Sequence, residues 1–177
     1  MEVPLTDPYP DRAERDRRLL TYTTAPLAED TEVTGHPIVR LFVRSTARDG
    51  AFIAYLEDVD PDGAVHYVTE GMLRALHRAT DDAASPTGPP IPHRSFLRAD
   101  AREMEPGETT ELRFDLQPTS YRFAHGHAIR LALAGADADH FARIPESGPP
   151  PTVRFFRDRV RASWIELPVV VTPAKGR

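Results

Sequence analysis

Three alternating aspartates form the most suggestive chemical pattern in this chain. Asp58, Asp60 and Asp62 lie in the segment DVDPDG, which resembles the start of a calcium-binding EF-hand loop. Such a loop needs a bidentate acid at its twelfth position. Counted from Asp58, that position is Thr69, and Glu70 comes one residue late. Because Pro-Asp-Gly is also typical of tight turns, we interpret the segment as a hairpin turn and keep a structural calcium ion as the alternative.

The histidines raise the question of a zinc site. His125 and His127 are two residues apart, so they would share a face if they lay on a strand. Further ligands could come from His66, His77, Asp137, Asp139 and His140. A structural zinc site needs four ligands at a characteristic spacing, which these residues do not show. We therefore favour a loop that leads into a strand, with partly exposed histidines, over a metal site.

Nucleophilic catalysis has little support in the sequence. The chain has no cysteine. Its serines are Ser45, Ser85, Ser95, Ser120, Ser147 and Ser163. None stands in the G-x-S-x-G pattern that presents a hydrolase serine at a strained turn. The segment Gly135 to Arg143 could bind a polar ligand, but a solvated loop is the favoured interpretation. The arginines and aromatics of RFFRDRVRASW favour a protected sheet edge over stacking on nucleic acid.

Composition restricts the class of protein. The 177 residues suffice for one domain, and 40% hydrophobic with 28% charged residues is ordinary for a globular protein. The net charge of −5 offers no basic surface for nucleic acid. No apolar run is long enough to span a membrane, and the first residues lack a signal-peptide core. We predict neither a nucleic-acid nor a membrane partner and favour a cytoplasmic location.

The elements that position these residues are mostly strands. Apolar residues recur with period two, and 18 prolines oppose long helices. The predicted strands span residues 19–24, 38–46, 51–59, 64–79, 109–116, 127–136, 152–158 and 163–171. Segment 64–79 is either one strand with a bulge at Gly71 or two strands, and a proline-rich loop is predicted at about 80–98. Residues 10–20 give at most a turn or two of helix. The pattern predicts an all-β fold, an antiparallel sandwich or jelly roll.

Several stretches together resemble one known family. LTYTTAPLAEDTEVTG, DVDPDG and TEGMLRALHR occur in the first half, and PGETTELRFDLQPTSYRFAHGHAIRLALAGAD and SWIELPVV follow in the second. In order and spacing they resemble the C-terminal domain of the X-Pro dipeptidyl-peptidase and cocaine-esterase family of serine hydrolases. The resemblance runs from about Arg15 to Val171. It weakens between Asp139 and Arg143, where the family often has a proline-arginine pair.

The resemblance implies a jelly-roll β-sandwich, galactose-binding-domain-like, that comprises residues 15–177 after an N-terminal arm of residues 1–14. In the family, the catalytic serine, aspartate and histidine lie in a preceding α/β-hydrolase domain. The chain would therefore contribute no catalytic, cofactor-binding or metal-binding residue, and would need no cofactor. It would pack on that domain and shape substrate access, either as a piece of a longer enzyme or as a shortened gene product. The alternatives are a free-standing carbohydrate- or ligand-binding module and a self-associating domain.

Overall fold

The computed structural model describes residues 11–81, 91–137 and 141–171. A short helix, α1 (Ala13–Asp16), is followed in these ranges by ten strands. The strands are β1 (Leu20–Thr23), β2 (Thr31–Gly35), β3 (Ile38–Ser45), β4 (Ala51–Val59), β5 (Val65–Arg74), β6 (Thr109–Asp115), β7 (Thr119–Phe123), β8 (Ala128–Ala134), β9 (Val153–Phe156) and β10 (Trp164–Glu166). The all-β prediction is confirmed, while the jelly-roll and galactose-binding-like subtype stays a prediction. No helix in the described ranges has the length and apolar composition needed to cross a membrane.

The strands form two antiparallel layers and a ribbon. Sheet I has the order β1-β8-β4-β5. In sheet II, β3 pairs with β6 along one edge, and β9 and β10 pair with different halves of its other edge. Strands β2 and β7 form a separate two-stranded ribbon. Apart from the β4–β5 hairpin, the paired strands are not consecutive in the chain, as expected for a sandwich with crossing connections.

The core lies between the two sheets because alternate side chains of each strand face inward. Sheet II contributes Val39, Leu41, Val43, Leu112 and Phe114, and sheet I contributes Phe52, Leu56, Ile129, Leu131 and Leu133. The period-two apolar residues of β6 and β8 thus face the core. Full burial of one such side chain contributes about 2 kcal/mol, so this core accounts for the association of the sheets.

Strand β4 is buried on both of its faces. Its outward residues Ile53 and Tyr55 form a second small cluster with Ala132 and Ala134 of β8. Leu19 packs against this cluster, which places the amino-terminal segment (residues 11–19) on the outer face of sheet I. The central position of β4 explains why its sequence is almost continuously apolar.

The two sheets are joined along one side. Thr69 of β5 donates its hydroxyl to the Gln117 carbonyl at 2.8 Å, and the Gln117 amide donates to the Glu70 carbonyl at 2.8 Å. A Cβ atom built on Gly71 would lie 2.3 Å from the carbonyl oxygen of Asp115. Gly71 therefore permits the close approach of β5 to β6. The predicted bulge at Gly71 is wrong, since this residue pairs in register with Ala54.

Other predicted elements also differ from the structure. The register of the β4–β5 pair shifts between Leu56 and Glu57, just before the DVDPDG segment. Strands β2 and β7 were not predicted, because their short polar sequences gain their order from pairing with each other. The last strand ends at Glu166, shortly before Pro168. Residues 82–90 of the predicted proline-rich loop lie outside the described residues, and its later part contains a 3-10 turn at Arg98–Asp100.

Candidate functional site

The aspartate turn is a hairpin turn, as predicted. Asp60 Oδ1 accepts hydrogen bonds from the amides of Asp62 and Ala64, both at 2.9 Å. Asp60 Oδ2 lies 3.3 Å from His66 Nε2. These contacts hold the pKa of Asp60 below its usual value, chiefly through His66. Gly63 supplies the positive φ of 90°. Among the described residues, no three His, Cys, Asp or Glu side chains converge as metal ligands would.

Asp58 belongs to a different network from its neighbours in the turn. Its carboxylate is buried, lies 2.9 Å from His127 Nδ1, and accepts a hydrogen bond of 2.9 Å from the Tyr121 hydroxyl. Burial, followed by this hydrogen bond, raises the pKa of Tyr121 to about 12. In a hydrolytic triad, an aspartate orients a histidine. Here the third side chain is Tyr121, whose hydroxyl is hydrogen-bonded to the aspartate. The network joins sheet I to the β2–β7 ribbon.

The candidate metal and nucleophilic residues do not converge. His125 and His127 lie in the turn before β8, as the loop interpretation predicted, and the His125 amide donates to Asp30. Ser163 Oγ donates to the Phe156 carbonyl and accepts from the Phe42 amide, which fixes β10 to sheet II. Within the described ranges, no serine hydroxyl is hydrogen-bonded to a histidine. Ser85, Asp139 and His140 lie outside those ranges.

Four charged side chains meet beneath the amino-terminal segment. We call Arg12, Asp16, Glu57 and Arg130 the ionic cluster. Arg12 Nε donates to Glu57 Oε1, and Arg130 Nη1 donates to Asp16 Oδ2 at 2.9 Å. Arg12, Asp16 and Glu57 are almost completely buried. The segment is held in place by its backbone as well, since the Arg12 amide donates to the Val65 carbonyl at 2.9 Å.

The ionic cluster has two carboxyl oxygens without a hydrogen-bond partner, Asp16 Oδ1 and Glu57 Oε2. Burial raises the pKa of Glu57 to about 8, and the nearby Asp16 carboxyl acts in the same direction, while Arg12 opposes both. A proton on Glu57 at neutral pH removes one buried negative charge that would otherwise be poorly compensated. Because Arg12, Asp16 and Glu57 are almost completely buried, they hold the segment to the sheet and do not reach a substrate.

The sequence reasoning missed the ionic cluster. Glu57 is an acid inside the apolar run AFIAYLEDV, and Arg130 interrupts the apolar run AIRLALA. A charge in a strand that is otherwise apolar indicates a buried partner. That signal was present, but Arg12 lies 45 residues before Glu57, so the partner could not be identified from spacing.

A groove of about 910 Å³ lies beside the ionic cluster. Its lining includes Arg15, Arg18 and Arg143 together with the acid Glu14. Tyr55 donates its hydroxyl to Asp137 Oδ2 at 2.8 Å. Burial, followed by this hydrogen bond, raises the pKa of Tyr55 far above its ordinary value. Asp137 is thus engaged, and not simply solvated as the loop interpretation expected. Residues 138–140 of this loop lie outside the described ranges.

An exposed apolar patch lies on another surface. It consists of Met72, Phe96 and Leu97, of which Phe96 and Leu97 are 68% and 61% exposed. Phe96 adopts φ 53° and packs its ring edge-on to His77, with centroids 5.5 Å apart. A positive φ is uncommon for a bulky residue. An exposed apolar surface of this kind is suited to contact with another protein.

Comparison with known proteins gives matches over most of this chain. Residues 1–164 match the family model of the X-Pro dipeptidyl-peptidase C-terminal non-catalytic domain. A serine esterase of Mycobacterium bovis is 56% identical over 162 residues, which are 92% of this chain and 26% of that protein. The cocaine esterase of a Rhodococcus species is 32% identical over 142 residues, or 80% of this chain and 22% of that protein. The chain therefore spans about a quarter of the length of these relatives.

A solved structure shows the same fold. The aminopeptidase of a marine-sediment Thaumarchaeota archaeon superposes with a TM-score of 0.75 at 22% identity, over 92% of this chain and 28% of that one. The match over residues 1–164 and the identity to the two esterases settle the assignment. This chain belongs to the family of X-Pro dipeptidyl-peptidase C-terminal non-catalytic domains.

Proposed function

We propose that this chain packs on the α/β-hydrolase domain of a serine hydrolase and shapes the access of substrate to it. The observation that carries the proposal is the family match over residues 1–164, combined with coverage of only 26% of the mycobacterial serine esterase. The substrate class that follows is an ester, an amide or an X-Pro peptide. The docking unit comprises residues 15–177, with residues 11–14 tied to it through Arg12. A cytoplasmic location is part of the same proposal.

The docking contact in this proposal is the apolar patch. Phe96 and Leu97 expose most of their side chains, and an apolar surface of this kind favours burial against a partner. Arg74 and Arg94 lie near Phe96 around a shared concave surface, so the patch has the polar rim that is common at protein interfaces. The occupant is the hydrolase domain, because the matched family is a non-catalytic domain and the match covers only 26% of the mycobacterial serine esterase.

A chimera tests this contact. The C-terminal quarter of the mycobacterial serine esterase is replaced by this chain, and hydrolysis of p-nitrophenyl acetate and the unfolding temperature are measured. We expect an active chimera, because the two sequences are 56% identical. Phe96→Glu should lower both activity and the unfolding temperature of the catalytic part, since a charge at a buried contact costs several kcal/mol.

Val160→Glu is the matched control, since Val160 is 88% exposed and lies in a different loop. It should behave like the unmodified chimera. If Phe96→Glu and Val160→Glu are indistinguishable in activity and unfolding temperature, the patch is not the docking contact.

The chain alone should be catalytically silent. It is assayed with p-nitrophenyl acetate and an X-Pro nitroanilide, with and without a fluorophosphonate inhibitor. Turnover that the inhibitor abolishes would show a serine nucleophile in this chain and would overturn the proposed accessory role. Absence of turnover, together with an active chimera, supports it.

A further inference from the structure

The two sheets part on the side opposite to the β5–β6 junction and leave a cleft of about 400 Å³. Its floor is the interior of the sandwich, where it reaches Leu41, Leu56 and Leu131. Its two rims are Tyr22 of β1 and Trp164 of β10. We call this the apolar cleft. Its volume falls within the range of roughly 300–1,000 Å³ that is usual for small-molecule sites.

The polar groups of the apolar cleft are mostly engaged by the protein itself. Thr23 Oγ1 accepts a hydrogen bond from Arg130, and Thr24 Oγ1 accepts one from the Ile129 amide. Ser163 Oγ accepts a hydrogen bond from the Phe42 amide and donates one to the Phe156 carbonyl. The interior of the cleft therefore offers a ligand apolar contacts and few hydrogen bonds, so it selects for a hydrocarbon or aromatic group.

Arg157 is the one charged side chain among the described residues that line the cleft. Its guanidinium lies 4.7 Å from the centre of the Tyr22 ring, which places it at the rim. The neighbouring acid, Asp158, pairs with Arg161 at 2.7 Å. In the part of the chain that the structure describes, Arg157 has no carboxylate partner. A cation at the mouth of an apolar cleft is complementary to a molecule with an apolar body and one carboxylate.

We propose that the apolar cleft binds a monocarboxylate with an apolar chain of roughly ten carbons, with the chain between the sheets and the carboxylate at Arg157. This site is separate from the docking contact proposed above and does not depend on it. The Tyr121 network takes no part, because neither Asp58, Tyr121 nor His127 lines the cleft. The ionic cluster meets the cleft only through the hydrogen bond from Arg130 to Thr23.

Trp164 provides a direct measurement. It is the single tryptophan of the chain and is 36% exposed at the rim of the cleft. Decanoate, kept below its micellar concentration, should change the tryptophan fluorescence in a saturable way. Shorter acids should bind about fourfold more weakly for each methylene removed, since each buried methylene contributes a similar increment. Acetate should have no effect.

Variants separate the role of the charge from that of the cleft. Arg157→Gln should weaken decanoate binding about fivefold, as expected for a partly exposed ion pair, and should leave decanol binding unchanged. Arg154→Gln is the matched control, because Arg154 is an exposed arginine of β9 that does not line the cleft. Circular dichroism confirms that both variants fold like the parent.

Three results would overturn the proposal. One is a fluorescence that does not respond to decanoate. Another is equal decanoate affinity in the Arg157→Gln and Arg154→Gln variants. The third is a tryptophan signal that depends on protein concentration without added acid, which would show that a second copy of the chain covers the cleft.

Discussion

Replacing Glu57 by glutamine tests whether the ionic cluster holds a proton at neutral pH. Glutamine keeps the shape of a protonated glutamate. Its amide oxygen can still accept a hydrogen bond from Arg12, and its amide nitrogen can donate one to the nearby Asp16 carboxyl. If Glu57 is protonated in the folded state, Glu57→Gln should have little effect on stability near pH 6. It should also remove part of the pH dependence of the wild-type protein.

The size of that pH dependence follows from the pKa values. Glu57 has a pKa of about 8 when folded and an ordinary value of 4.5 when unfolded. Between these values the folded state binds more protons than the unfolded state, so the free energy of unfolding falls as pH rises. Its slope approaches about 1.4 kcal/mol per pH unit. From pH 6 to pH 8 the wild type should lose about 2 kcal/mol relative to Glu57→Gln.

Urea unfolding at pH 6, 7 and 8 of both proteins measures this difference. Glu111→Gln is a matched control: Glu111 pairs with Arg40 but is 43% exposed, so it should leave the pH slope unchanged.

A different result would follow if Glu57 were ionised and paired with Arg12. Glu57→Gln would then cost about 3–5 kcal/mol at every pH, and our reasoning would be refuted.

Three further substitutions have definite expected outcomes. Gly71→Ala should lower the free energy of unfolding by about 3 kcal/mol or more, since its new methyl group would meet the β6 backbone. Gly50→Ala should have a mild effect, because its new Cβ would lie 3.5 Å from its nearest neighbour. The urea midpoints of the two variants test this difference. Tyr121→Phe should cost about 2 kcal/mol because a buried carboxylate loses its donor, and an unchanged midpoint would contradict this. Asp60→Ala should lower the thermal midpoint and Asp62→Ala should not, because only Asp60 bonds the turn amides. That difference should shrink as pH falls below 3.8, the ordinary value for aspartate, because the pKa of Asp60 is lowered in the fold and its ionised form is the one that the fold stabilises.

The layered architecture was predictable because it depends on local alternation. Strand β4 was predicted to its exact bounds, Ala51–Val59, since its ends are marked by glycine and by the Pro-Asp-Gly turn. The failure of the EF-hand spacing at Thr69 correctly indicated a turn. These signals are local, because propensity and turn chemistry act over a few residues.

The remaining features depend on contacts between distant residues. The ribbon of β2 and β7 joins Thr31 to Phe123 across the chain, and neither strand has a strong apolar pattern of its own. The ionic cluster pairs Asp16 with Arg130, 114 positions apart. Such pairs are formed by the topology and leave no spacing pattern in the sequence.

The fastening of the sandwich along one side has a mechanical consequence. Because β5 and β6 are in backbone contact at Gly71 and Gln117, any change in the distance between the sheets must pivot about that line. The displacement should then grow toward Tyr22 and Trp164, where no backbone hydrogen bond between described residues joins the two sheets. We therefore expect thermal breathing of this domain to be directional, with its widest excursion at the edge farthest from the pivot.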